Sequence, residues 1–218
     1  MKLHKAILLT ILYYIILELI GCWILLIPDE MEYLELFKIS RLITSMITIT
    51  FLVLIFKSFK QSDSLKFNKT DPKYYLISAM LGIGFVFFQS ILNIIYHQEI
   101  SSEFFDFNFN IKRLTSLNVI ASILIVPIME ELFFRNYLLR RLLEKYGPIV
   151  AIIISSFLFA FIHIPFGALF SEMYDLSFHH AYITLFGGAI SGILYYKSKS
   201  INPSIIFHMF WNLTIYVL

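Results

Sequence analysis

Charge is what this sequence has least of. Of its 218 residues only 15% are Asp, Glu, Lys or Arg, where a globular chain carries roughly 25%. Apolar residues reach 59%, with 23 Phe and 13 Tyr, and the mean hydropathy is +0.79. A water-soluble fold of this size has too little interior to hide that much apolar surface, so a soluble domain is excluded and lipid is the expected solvent. Cysteine is nearly absent. Cys22 stands alone, which excludes an intramolecular disulfide framework and a Cys-rich zinc module. A net charge of +2 excludes a generally basic nucleic-acid binder. No internal repeat, low-complexity tract or Gly/Ser linker interrupts the chain, so residues 1–218 read as one integral membrane domain.

What is present is a series of charge-poor runs. Seven candidate spans are 6–27, 42–56, 75–97, 116–130, 148–166, 179–196 and 203–218. A crossing helix needs about 20 residues, so the second and seventh are short. The second is extended by letting Lys38 and Arg41 snorkel. The expected fold is an all-α, polytopic bundle of about seven transmembrane helices, with six to eight compatible with the pattern. Connecting segments alternate in sign, from Lys2 and Lys5 through Asp29, Glu30, Glu32 and Glu35 to Lys57–Lys73. Glu99, Glu103 and Asp106 come next, then Arg140, Arg141 and Lys145, then Glu172 and Asp175, and finally Lys197 and Lys199. The positive-inside rule then gives a multi-pass protein of the cell membrane with a cytoplasmic N-terminus. Lys38, Arg41, Lys112 and Arg113 run against the trend. The Leu19–Cys22 stretch has the look of a lipoprotein cleavage box, but Glu18 interrupts it and the apolar run continues beyond Cys22, which favours a retained first span.

With lipid as solvent, ionisable groups inside the spans are the informative residues. Glu130 and Glu131 are adjacent on one helix and project about 100° apart. Glu131 and Arg135, four residues apart, stack on one face and can pair. Glu130 is left without a local counter-ion. A carboxylate in low-dielectric surroundings binds its proton more tightly, which suits a general base. The Tyr146-Gly147-Pro148 turn ends this helix, since Gly suits a helix end as Pro suits a helix start. Glu130 lies 17 residues before Gly147 and His163 lies 16 after it, so an antiparallel hairpin brings them level. His208 and Asn212 leave the last helix on one face. Taking Arg140 and Lys199 as interface markers puts Glu130 ~15 Å and His208 ~13 Å deep. The same markers make the 140–153 hairpin project from the membrane, although 149–154 is apolar.

Each feature has a plainer reading. A membrane His often serves as an interhelical hydrogen-bonding group, and Glu131–Arg135 alone is a structural pair. Glu18 reads as a helix-seam residue or one facing a water-filled cavity, and His179 and His180 as interfacial anchors. Two carboxylates, two His and an Asn at one expected depth favour a site.

Glu130-Glu131-x-x-x-Arg135, Phe159-x-x-x-His163 and His208-x-x-x-Asn212 resemble, in order, the three motifs of the CPBP intramembrane proteases. That family includes the type II CAAX prenyl endopeptidases and an Abi branch of bacteriocin-processing and self-immunity proteins. The resemblance covers roughly 115–218, the expected protease core. It implies a peptidase cutting membrane-associated peptides or lipidated proteins, with no nucleic-acid partner. Glu130 and His163 would activate water, His208 and Asn212 would stabilise the oxyanion, and Glu131 and Arg135 would hold the site. The resemblance favours metal-free glutamic chemistry. Glu130, His163 and His208 nonetheless have the composition of a two-His, one-carboxylate zinc site. Two other classes stay open: a non-catalytic immunity factor or scaffold of the same family, and a small transporter relaying protons through Glu and His. The lack of a repeat between halves weighs against the transporter.

Overall fold

Runs of Leu, Ile, Phe and Val without counter-charges leave the backbone one way to satisfy its polar groups in lipid, which is to hydrogen-bond locally as helix. The computed structural model describes residues 1–26, 36–166 and 176–218. Asp29, Glu30, Glu32, Glu35, Glu172 and Asp175, used above for orientation, lie outside the described residues. Among the described residues the chain is a helical membrane bundle without strands. The helices are α1 (Leu3–Gly21), α2 (Ser40–Ser58), α3 (Pro72–His97), α4 (Leu117–Leu143), α5 (Pro148–Phe161), α6 (His179–Ser198) and α7 (Asn202–Val217). The first four are long and apolar enough to cross a membrane, and α5 is apolar but shorter.

The boundaries have local causes. Asp71 caps α3 by accepting a hydrogen bond from the Lys73 amide at 3.0 Å, with Pro72 in the first turn. Pro148 and Pro203 occupy the first turns of α5 and α7. α1 gives way after Gly21 to a 3₁₀ turn, Cys22–Leu26, short of the expected end at 27. The fourth span continues past Glu130 to Leu143. Its middle, Leu132–Leu139, is a widened π-helical stretch preceded by Pro127 inside the helix.

Two apolar clusters hold the bundle. One joins Tyr13, Leu52, Phe56, Phe133, Phe134 and Phe159 across α1, α2, α4 and α5. The other joins Phe85, Ile183, Leu194, Phe207 and Trp211 across α3, α6 and α7. Outward-facing apolar residues recur at helical spacing, as with Leu8, Leu12, Ile15 and Leu19 on α1. On α5, Ile149, Ile153 and Phe157 form such a stripe from the first turn. A face of that kind suits hydrocarbon, which argues against the expected projection of the 140–153 hairpin into water. Arg140 marks the interface poorly because its guanidinium is turned inward to donate to Ser64 Oγ at 3.0 Å.

α3 and α7 approach so closely at Gly82 that a Cβ there would lie 2.5 Å from the Phe207 carbonyl oxygen. Gly82→Ala therefore forces the two backbones apart beside His208. It is expected to lower stability by about 1–3 kcal/mol, read as a fall in melting temperature in detergent; an unchanged value would overturn the close approach.

Candidate functional site

Glu130, Glu131 and Arg135 of α4, Ser191 of α6 and His208 of α7 converge where the three helices meet. Glu130 sits at the end of the α-helical part of α4 with Glu131 next to it, both buried. Arg135, one turn on, is 1% exposed. Its Nε lies 3.1 Å from Glu131 Oε2, close enough for an ion pair though off the line of a hydrogen bond. Its Nη2 donates to the Gly188 carbonyl at 3.1 Å, and its guanidinium stands 4.5 Å from the centre of the Phe159 ring. Glycine at 188 permits this approach, since a Cβ would come within 3.1 Å of Phe159 and 3.4 Å of Arg135 Nη2.

Glu131 is the hub. Besides Arg135 it accepts a hydrogen bond from Ser191 Oγ at 2.7 Å on Oε2, and its Oε1 lies 3.1 Å from His208 Nδ1. A carboxylate oxygen can only accept, so His208 carries its proton on Nδ1 toward Glu131. That directs Nε2 toward Glu130, whose Oε2 is 3.9 Å away and has no hydrogen-bond partner among the described residues. Two neighbouring carboxylates thus have unlike surroundings, one saturated and one open.

His163 lies two residues beyond α5, in a turn and not on the helix itself. Its Nδ1 is 2.8 Å from the Phe159 carbonyl, which as an acceptor fixes the proton on Nδ1 and leaves Nε2 as the lone pair. The hairpin has the expected register: Phe134 meets Phe159 at 5.2 Å, and Ser155 Oγ donates to the Phe134 carbonyl at 3.1 Å. Yet no hydrogen bond or ion pair joins His163 to Glu130 among the described residues. The Phe159 ring meets both imidazoles, its centre 4.7 Å from that of His163 and 5.9 Å from that of His208. Asn212 is one turn along α7, where its amide donates to the Ser122 carbonyl of α4 at 2.8 Å. One amide N–H remains for another acceptor.

Several contributors had no motif to announce them. Ser191 and Gly188 belong to the small-residue run Gly187-Gly188-Ala189-Ile190-Ser191-Gly192, a pattern that lets membrane helices approach closely. His180, expected as an interfacial anchor, packs its ring edge-on against His163 at 5.0 Å. Arg41 donates to Ser122 Oγ at 3.0 Å and lies within electrostatic reach of Glu130 and His180. His179 turns away, its Nε2 2.8 Å from Asn93 Oδ1. Glu18 is exposed on α1 and hydrogen-bonded with Tyr14.

The trio Glu130, His163 and His208 does not fit a zinc ion as placed. Among the described residues no group of three His, Cys, Asp or Glu side chains is gathered to hold a metal, and no hydrogen bond or ion pair joins His163 to Glu130. A cavity of about 630 Å³ opens elsewhere, lined by Asp63, Lys66, Asn136, Arg140, Tyr195 and Lys199. It does not reach the carboxylates. Its floor includes Tyr195, whose hydroxyl donates to Asn136 Oδ1 at 3.4 Å, one helical turn from Ser191.

Buried carboxylates, an arginine and imidazoles form a polar cluster inside a lipid-facing helical bundle. Residues 112–214 match the family model described as Rce1-like, type II CAAX prenyl endopeptidase Rce1-like. The match supports a CPBP/CAAX protease family assignment for that part of the chain. Neither a curated protein nor a solved structure matches the chain. The matched region spans α4 to α7 and leaves α1 to α3 outside it.

Proposed function

We propose that the protein is an intramembrane endopeptidase that cuts a peptide bond in a membrane-associated peptide or a lipidated protein, using water activated by Glu130 and His163. The observation that carries this reading is the unlike pair of neighbouring carboxylates. Glu131 is saturated by Arg135, Ser191 and His208, while Glu130 keeps a buried oxygen unbonded. Glu130 takes a proton from water, assisted by the Nε2 lone pair of His163, and the resulting hydroxide adds to the scissile carbonyl. The oxyanion accepts hydrogen bonds from His208 Nε2, which must carry a proton for this role, and from the remaining Asn212 N–H. Collapse of the tetrahedral intermediate breaks the C–N bond, and the proton held by Glu130 passes to the leaving amine. Glu131 and Arg135 hold His208 in register. The N-terminus is assigned to the cytoplasmic side on the loop charges.

The test is comparison of peptide termini in membranes carrying wild-type or Glu130→Ala protein. New termini that depend on Glu130 are expected; identical sets would overturn the reading. The proposed chemistry is metal-free, supported by the want of any hydrogen bond or ion pair between His163 and Glu130 among the described residues. Chelation followed by metal analysis is expected to leave activity on the identified peptide unchanged. Stoichiometric zinc whose removal abolishes turnover would overturn that part.

A further inference from the structure

Among the described residues, three buried side-chain oxygens lack a hydrogen-bond partner: Tyr13 Oη, Ser78 Oγ and Glu130 Oε2. Two of the three belong to helices that pack together, Tyr13 to α1 and Glu130 to α4. Tyr13, 4% exposed in the middle of α1, stacks face to face on Phe133, with ring centres 4.2 Å apart and planes within 8°. It also meets Phe134 edge-on at 5.7 Å. Phe133 and Phe134 stand three and four residues after Glu130, so the stack sets Tyr13 against the turn of α4 that follows it. The charge whose field reaches the Tyr13 hydroxyl is that of Glu130. A phenol carries its oxygen rigidly at the tip of the ring, so the stack that fixes the ring also fixes the hydroxyl.

Burial of a hydroxyl with no partner costs about 1–3 kcal/mol. The ring packing would be served as well by Phe, which already fills the neighbouring positions 133, 134 and 159. We infer that Tyr13 is a positioning residue of the site, its hydroxyl holding the attacking water against Glu130. This rests on the reading of Glu130 as the base. It gives α1, outside the region matched by the family model, a part in the reaction chamber. The ligand is one water molecule, shared between a phenolic O–H that donates to it and a carboxylate that accepts from it. Tyr13 keeps its own proton throughout, and the proton of the water goes to Glu130.

The experiment uses the full-length protein in detergent and the peptide that wild-type membranes cut and Glu130→Gln membranes do not. Tyr13→Phe is expected to lower kcat at least tenfold, to leave KM within twofold, and to leave the melting temperature unchanged or higher. In the Glu130→Gln background the same change is expected to add nothing. A kcat within twofold of wild type overturns the inference, as does an effect carried by KM alone. Loss of activity together with a lower melting temperature also overturns it, since the hydroxyl would then be structural. If no cut depends on Glu130, the proteolytic reading and Tyr13 fall together. If the Glu130-dependent cut is intact and Tyr13→Phe is silent, only Tyr13 falls.

Discussion

Glu130→Gln is expected to reduce kcat/KM on the identified peptide by on the order of 10³-fold or more, with no loss of folded, inserted protein. The amide keeps the volume and planarity of the carboxylate but cannot take a proton from water. The unbonded Oε2 makes the two effects separable, because no hydrogen bond is lost with it. Removing an ionisable group from a buried site also removes its desolvation cost, so the melting temperature should stay level or rise. Activity falling while stability holds is the signature of a working residue. A variant that cleaves at the wild-type rate would take Glu130 out of the mechanism.

The largest expected effect on stability is at Arg135. Truncation to Ala strands the Glu131 charge in the bundle interior, and breaking a buried pair in this way typically costs about 3–5 kcal/mol. Further contacts go with it: the hydrogen bond to Gly188 that ties α4 to α6, and the cation–π contact with Phe159. Arg135→Ala should therefore give a strongly lowered melting temperature and a poor yield of inserted protein. Arg135→Lys should recover part of the loss, since an ammonium restores charge without the planar fork. Replacing Glu131 and Arg135 together, both by Gln, should cost less than the sum of the separate changes, because each partner's penalty is mostly the other's isolation. An Arg135→Ala protein that melts with the wild type would show that the pair carries no structural weight.

What could be read in the sequence was what depends on local geometry. The seven helices were legible because lipid leaves a charge-poor run no alternative to helix, though among the described residues only the first four are long and apolar enough to cross a membrane. Glu131–Arg135 was legible because four residues make one turn, and the α4–α5 register because Gly147 and Pro148 mark a tight hairpin. Contacts between segments far apart in the chain were not legible. Ser191 and Gly188 reach Glu131 and Arg135 across more than 50 positions, with only small-residue spacing as a hint. Tyr13 carries no motif at all and looks like any aromatic in an apolar helix. His163 was expected beside Glu130 because the hairpin was extrapolated as continuous helix. α5 ends at Phe161, so His163 stands in the turn beyond the helix, where its ring also meets His180.

The π-helical stretch Leu132–Leu139 has a consequence for how the two ends of α4 are phased. Each extra residue accommodated in a widened turn rotates the C-terminal remainder of the helix by roughly 100° relative to an ordinary α-helix. The carboxylates at the start of the stretch face His208. Asn136 and Arg140, within and just beyond it, are thereby turned to grip Ser64 of the neighbouring loop. Both orientations depend on the number of residues between them as much as on their identity. Deleting one residue from this stretch would swing one end away from its partners while leaving the composition almost unchanged. The angular setting of the site is thus written in a residue count.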